Sequence, residues 1–183
     1  MKKIIAIVGM AGAGKTEAAN FFKEKGMKVL RFGSVIDEGL KAEGLSWSPE
    51  NNAFYREKIR KELGMEAVAI KMMPKIEEAL EMGEIITLDG LYSWEEYLYL
   101  KNRLSNLFLL CIYAAPSVRY TRLAERKERT WSQKEARQRD ISEIEKTNKG
   151  GPIALADYLI KNETTKGDLY KELERFMEIV DND

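Results

Sequence analysis

The chain has 183 residues, enough to bury a real core, with 44% hydrophobic and 33% charged residues. Its 30 Lys and Arg balance its 30 Asp and Glu, which argues against wholesale attraction to nucleic acid or a membrane surface. Histidine is absent, removing imidazole bases, His triads and His-ligated zinc, and the single cysteine, Cys111, excludes a disulfide framework and fits a reducing, cytoplasmic location.

The run "KIIAIV" (3–8) is short, β-branched and closed by Gly9, which predicts a buried first strand. It is too short for a signal-peptide core or a membrane span. "GMAGAGKT" (9–16) follows and fits the phosphate-loop pattern G-x-x-x-x-G-K-[ST], with helix formers running on to Gly26. In such a loop, glycines turn backbone N–H groups toward phosphate oxygens, and the next helix presents its positive end to the same anion. Gly9, Met10, Ala11, Gly12, Ala13, Gly14, Lys15 and Thr16 are therefore the expected triphosphate-binding residues. Lys15 reaches the β and γ phosphates, and the Thr16 hydroxyl completes the coordination of a magnesium ion.

"KVLRFG" (28–33) is the second expected strand, and residues 34–82 read as mostly helical. "SWSPENN" (46–52) is a turn that opens a new helix, and Pro74 should start or kink a helix rather than sit within one. Arg56 and Arg60 lie one turn apart and fit either a clamp for an anionic acceptor or a solvated charged face. "EIITLDG" (84–90) is the third strand; Asp89 at its end suits magnesium or a turn cap. A helix follows over "SWEEYLYLKNRL", and Met72, Met73, Trp94, Tyr97 and Tyr99 read as packing rather than a base-stacking cage.

"LFLLCIYA" (107–114) is the fourth strand, with Cys111 as a small apolar core residue, and Pro116 is placed to begin a helix. The segment 119–140 crowds Arg119, Arg122, Arg126, Arg129, Arg137 and Arg139 among glutamates. Some belong to a salt-bridged exposed helix; Arg122, Arg126 and Arg129 are the candidates for a lid that closes over the γ phosphate. "GGP" (150–152) should break the chain, "DYLIKN" (157–162) is a fifth strand, and "KGDLYKELERFMEIV" is a closing amphipathic helix. In "NETT", beginning at Asn162, the loop backbone either reads a nucleotide base or forms a polar turn. Strands separated by helices predict a parallel sheet whose carboxyl ends bring the phosphate loop, Gly33 to Asp37 and Asp89 to Ser93 to one crevice.

The phosphate loop, "LDGLYSWEEY", "LLCIYAAPSVRYTRLAERKER" and "ADYLIKNETTKGDLYKEL" together resemble the nucleoside-monophosphate-kinase-like and dephospho-CoA-kinase-like phosphate-loop proteins. They are most similar to a largely uncharacterised, nucleotide-kinase-like branch common in archaea. The resemblance spans essentially the whole chain. It implies an α/β phosphate-loop NTPase fold in one domain, 1–183, with a five-stranded parallel sheet in the order 2-3-1-4-5 and helices on both faces. It also implies an acceptor-binding helical insertion at about 34–82, a helical lid at about 124–142, ATP as donor and Mg²⁺ as cofactor. Where monophosphate kinases carry an Asp and then an Arg after the second strand, this chain has "GSVID", with Asp37; where relatives read Asp-Gly-Ile-Arg, it has "DGLY", with Tyr92. Asp37 is accordingly expected either to take or orient a hydroxyl proton or to cap or decorate a surface helix, with Arg56, Arg60 and Tyr92 as the candidate acceptor-binding residues. The expected activity is ATP-dependent phosphoryl transfer to a small molecule, with no membrane or nucleic-acid partner; the oligomeric state stays open. An ATPase or nucleotide-dependent regulatory module without a small acceptor is the alternative.

Overall fold

A computed structural model describes residues 4–126 and 130–182. Five strands, β1 (Ile4–Val8), β2 (Lys28–Arg31), β3 (Ile86–Asp89), β4 (Leu107–Tyr113) and β5 (Tyr158–Lys161), form one parallel sheet in the order β2-β3-β1-β4-β5. β1 is central and wholly buried, which is why its sequence is a continuous apolar run rather than an alternating one. The two-residue period still sorts its side chains. Ile4, Ala6 and Val8 enter one core, and Ile5 and Ile7 enter the other.

The first core is covered by α2 (Gly33–Ala42), α3 (Pro49–Leu63), α4 (Ala67–Glu81) and α5 (Trp94–Lys101). The second is covered by α1 (Lys15–Glu24) and α9 (Lys166–Asn182), where Phe21, Phe22 and Phe176 pack edge to face. Each such fully buried side chain contributes about 1.5–3 kcal/mol of transfer free energy. α6 (Pro116–Ala124) and α7 (Gln133–Thr147) follow β4, and α8 (Gly150–Ala154) precedes β5.

Two local expectations fail. Pro74 lies inside α4. Its missing N–H costs the Ile70 carbonyl a helical partner, but Met72, Met73 and Ile76 on either side of it are buried in the first core, and that packing holds the helix together. "GGP" does not break the chain; it forms α8, with Pro152 buried and Gly151 under the Trp94 indole, where a Cβ would come within 2.5 Å of the ring. Cys111, Met72 and Met73 are buried, Tyr97 is nearly so, and Trp94 and Tyr99 pack against the same cluster.

Candidate active site

The phosphate loop joins β1 to α1. Gly9 has φ 139°, and a Cβ there would meet the Ile112 carbonyl oxygen of β4 at 2.3 Å. Gly14 caps α1 at φ 104°, with Asn162 so close that a Cβ would lie 2.2 Å from its amide nitrogen. Only glycine fits either position, so the glycines fix the loop against its neighbours as well as shaping it.

Two side chains brace this loop from behind. Asn162, nearly buried at the end of β5, donates to the Ala13 carbonyl at 2.8 Å. Arg119 of α6 donates to the Ala11 carbonyl and forms a two-pronged ion pair with Asp140 of α7, at 3.0 and 2.6 Å. Tyr120 donates to the same carboxylate at 2.9 Å. α7 is thereby tied to the phosphate loop. The Asn162 carbonyl is itself engaged, accepting from Arg122 at 2.8 Å.

Lys15 bends back so that its ammonium donates to the Met10 carbonyl at 3.0 Å. Burial and the nearby Lys149 charge pull its pKa down to about 7, against the raising influence of Glu143 and Asp89. Beside it, Glu143 accepts from Arg139 at 2.8 Å and from Lys149 at 2.5 Å. Burial alone would push the Glu143 carboxyl up, but these two cations hold it below its ordinary value. Asp89 is raised by burial, with Lys15 and Arg31 opposing.

A cleft of about 1580 Å³ runs along the carboxyl ends of the strands. On the donor side it is lined by Ala11, Gly12, Gly14, Lys15, Thr16 and Asn162, and beside them by Asp89, Arg122, Arg126 and Arg139. On the far side are Asp37, Arg56 and Tyr92. Arg60 does not line it; this side chain is half-buried on the outer part of α3, its charge near Glu96 and Glu95, and lines a separate shallow depression. Arg129 lies outside the described residues. Asp37 is not a lone anion there, because Arg31 at the end of β2 pairs with it at 2.5 Å. Two cations lie near the Tyr92 ring, Lys149 at 4.6 Å and Arg56 at 5.5 Å from its centre. Among the described residues no cluster of three or more acidic, Cys or His side chains could hold a metal. Thr16 and Asp89 are the oxygen-bearing side chains at the loop that would hold a magnesium ion, and the half-buried Asp89 carboxyl, raised by its burial, is one that a cation would stabilise in its charged form.

The model of the AAA domain family matches residues 5–146. A UPF0200 protein of Pyrococcus horikoshii is 33% identical over 178 residues, covering 94% of each chain. The chain belongs to the UPF0200 family. Its fold is that of phosphate-loop kinases. A shikimate kinase from Bacteroides thetaiotaomicron superposes with a TM-score of 0.63 at 16% identity, covering 98% of each chain. A dephospho-CoA kinase from Campylobacter jejuni gives 0.62 at 16% identity, covering 97% of this chain and 96% of that one. The family's phosphate-loop, kinase-like character and its sheet order agree with the expectations from sequence.

Within this family member, four residues of the site were not singled out from sequence: Arg31, Asp140, Glu143 and Lys149. Glu143 stands four residues after Arg139, a helical pair visible in the sequence. Lys149 gives no such signal. It sits in the polar stretch "KTNKGG" yet is almost wholly buried. The Arg119–Asp140 pair spans 21 residues and depends on how α6 and α7 cross.

Proposed function

We propose that this protein transfers the γ phosphoryl group of ATP to the hydroxyl of a small molecule. The observation that carries this reading is the extent of the cleft. Pockets for one small ligand enclose about 300–1,000 Å³. This one encloses about 1580 Å³ and continues from Lys15 past Asp89 to a second set of polar groups at Asp37 and Arg56. An ATPase with water as acceptor has no use for that far half. Likeness in fold to proteins named as kinases agrees with the reading.

In this mechanism the loop amides and the α1 N-terminus hold the β and γ phosphates, and Lys15 offsets the charge that develops on their bridging oxygen. Magnesium, held through Thr16 and Asp89, would neutralise phosphate charge. Arg122, Arg126 and Arg139 line the lid side of the cleft, where guanidinium groups stabilise a transferring phosphoryl group. The acceptor oxygen attacks γ phosphorus in line, the bond to the bridging oxygen breaks, and ADP leaves with that electron pair. The hydroxyl proton passes to the Asp37 carboxylate and then to solvent. The lone, buried Cys111 suits a reducing compartment, and among the described residues no helix is long and apolar enough to cross a membrane.

The test pairs binding with turnover. Lys15→Ala should weaken ATP binding in titration calorimetry and abolish ADP release, with an unchanged circular dichroism spectrum. A Lys15→Ala protein that binds and turns over ATP like the parent rejects the donor site. A parent protein that binds ATP, but whose ADP release no hydroxyl acceptor stimulates, rejects the kinase reading in favour of an ATPase.

A further inference from the structure

The far half of the cleft has a charge pattern that describes the acceptor. Asp37 is paired with Arg31, so the two together present a polar edge with no net charge. Arg56 differs. Its Nε donates to Asn52 Oδ1, one helical turn back, at 2.8 Å, and its guanidinium lies against the Tyr92 ring. Among the described residues no carboxylate lies within ion-pair distance of it. Arg56 is thus a partly buried, oriented cation that lines the cleft without a direct ion pair, its charge felt only at longer range by the buried Glu96. A guanidinium fixed at Nε keeps its outer N–H edge for a ligand, and that planar edge matches a carboxylate. Arg60, which would have made a two-arginine clamp of the kind a phosphate dianion favours, does not line the cleft. Lys41 also lines this half but is exposed, where its ammonium stays hydrated. Leu40, Leu45 and the half-exposed Trp47 complete the wall with apolar surface for a carbon skeleton.

We infer that the acceptor is a small hydroxy acid, its hydroxyl at Asp37 and its carboxylate on Arg56. This rests on the kinase reading above and deepens it. The reaction converts the hydroxy acid and ATP into the phosphate ester of that acid, ADP and a proton. The new bond joins the acceptor oxygen to γ phosphorus, and the bond from γ phosphorus to the β–γ bridging oxygen is the one that breaks.

The experiment uses the full chain with Mg-ATP and matched acceptors: D-glycerate against glycerol, D-gluconate against D-glucitol, and AMP and CMP as phosphate-bearing comparisons. ADP release is followed by a coupled assay and the phosphorylated product by mass spectrometry. The expected result is transfer to an acid but not to its neutral partner. Arg56→Gln should raise KM for that acid about 10- to 100-fold, the factor for losing one charge-assisted contact. Asn52→Ala, which frees the Arg56 side chain, should move KM in the same direction by less. ATP affinity measured on the same samples reports whether the donor half is intact. Equal transfer to acid and neutral partner, transfer only to AMP or CMP, an Arg56→Gln protein with unchanged KM, or no transfer to any acid overturns the inference. Equal transfer to acid and neutral partner, or an unchanged KM for Arg56→Gln, leaves transfer to a hydroxyl standing, whereas transfer only to the phosphate of AMP or CMP, or absence of ATP binding by the parent, rejects that reading itself.

Discussion

Arg119 and Asp140 illustrate what one buried pair does in this protein. Their side chains are almost wholly withdrawn from water, and the arginine also holds the Ala11 carbonyl of the phosphate loop. Removing one partner leaves the other charge buried and uncompensated, which costs about 3–5 kcal/mol. Asp140→Ala should lower stability by about that amount in urea titration, and the double variant with Arg119→Met should recover part of the loss. An Asp140→Ala protein as stable as the parent would mean that water reaches this pair. Cys111 gives a second residue-scale expectation. Burial pushes its thiol up to about 11, so little thiolate exists near neutrality. At pH 8, a disulfide reagent such as DTNB should react with it only as fast as the chain unfolds. Rapid stoichiometric labelling of the native protein would show that β4 opens readily.

The elements that place the acceptor wall depend on local chemistry. α5 begins with a capping box: Ser93 accepts from the Glu96 amide at 3.0 Å, and Glu96 accepts from the amides of Tyr92 and Ser93. Glu96 is buried and its carboxyl is raised by that burial, with the Tyr92 amide opposing. This cap holds the backbone of Tyr92, whose ring touches Arg56. Ser93→Ala should cost about 1 kcal/mol and loosen Tyr92, seen as a weaker acceptor KM with ATP affinity preserved. α2 and α3 meet where Tyr55 lies over Gly39; a Cβ at Gly39 would come within 2.0 Å of the tyrosine ring. Gly39→Ala should therefore destabilise the protein by about 1–3 kcal/mol, as overpacking does, despite the better helix propensity of alanine. A higher melting temperature for that variant would show that the two helices separate at little cost.

At the scale of the whole molecule, the cleft is built from segments on both halves of the sheet, and a ligand spanning them should stabilise the entire fold. ATP at about 100 times its Kd should add about 2.7 kcal/mol, a rise of about 5–10 °C in melting temperature for a chain of this size. The lid side makes a kinetic prediction. Arg126 is exposed yet lines the cleft, so its contact with phosphate should form mainly in the transition state. Arg126→Ala should lower kcat by a factor on the order of 10³ while changing ATP affinity little. A small, equal effect on both would mark it as a solvated side chain.

The sequence by itself determined the five strands, the phosphate loop and most of the helices. Those features follow from local rules: the apolar runs of buried strands, the glycine spacing of an anion-binding turn, and the start and stop signals of helices. It misjudged Pro74 and "GGP", where burial of neighbouring side chains outweighed local preference. Tertiary structure alone decided the electrostatics of the site. Arg31 pairs with Asp37, Arg56 lines the cleft while Arg60 does not, and Lys149 is buried beside Glu143 and Tyr92. The physical reason is that a charge acts through its distance from other charges and from water. Both are set by which strand lies beside which and how the covering helices cross, not by neighbours along the chain.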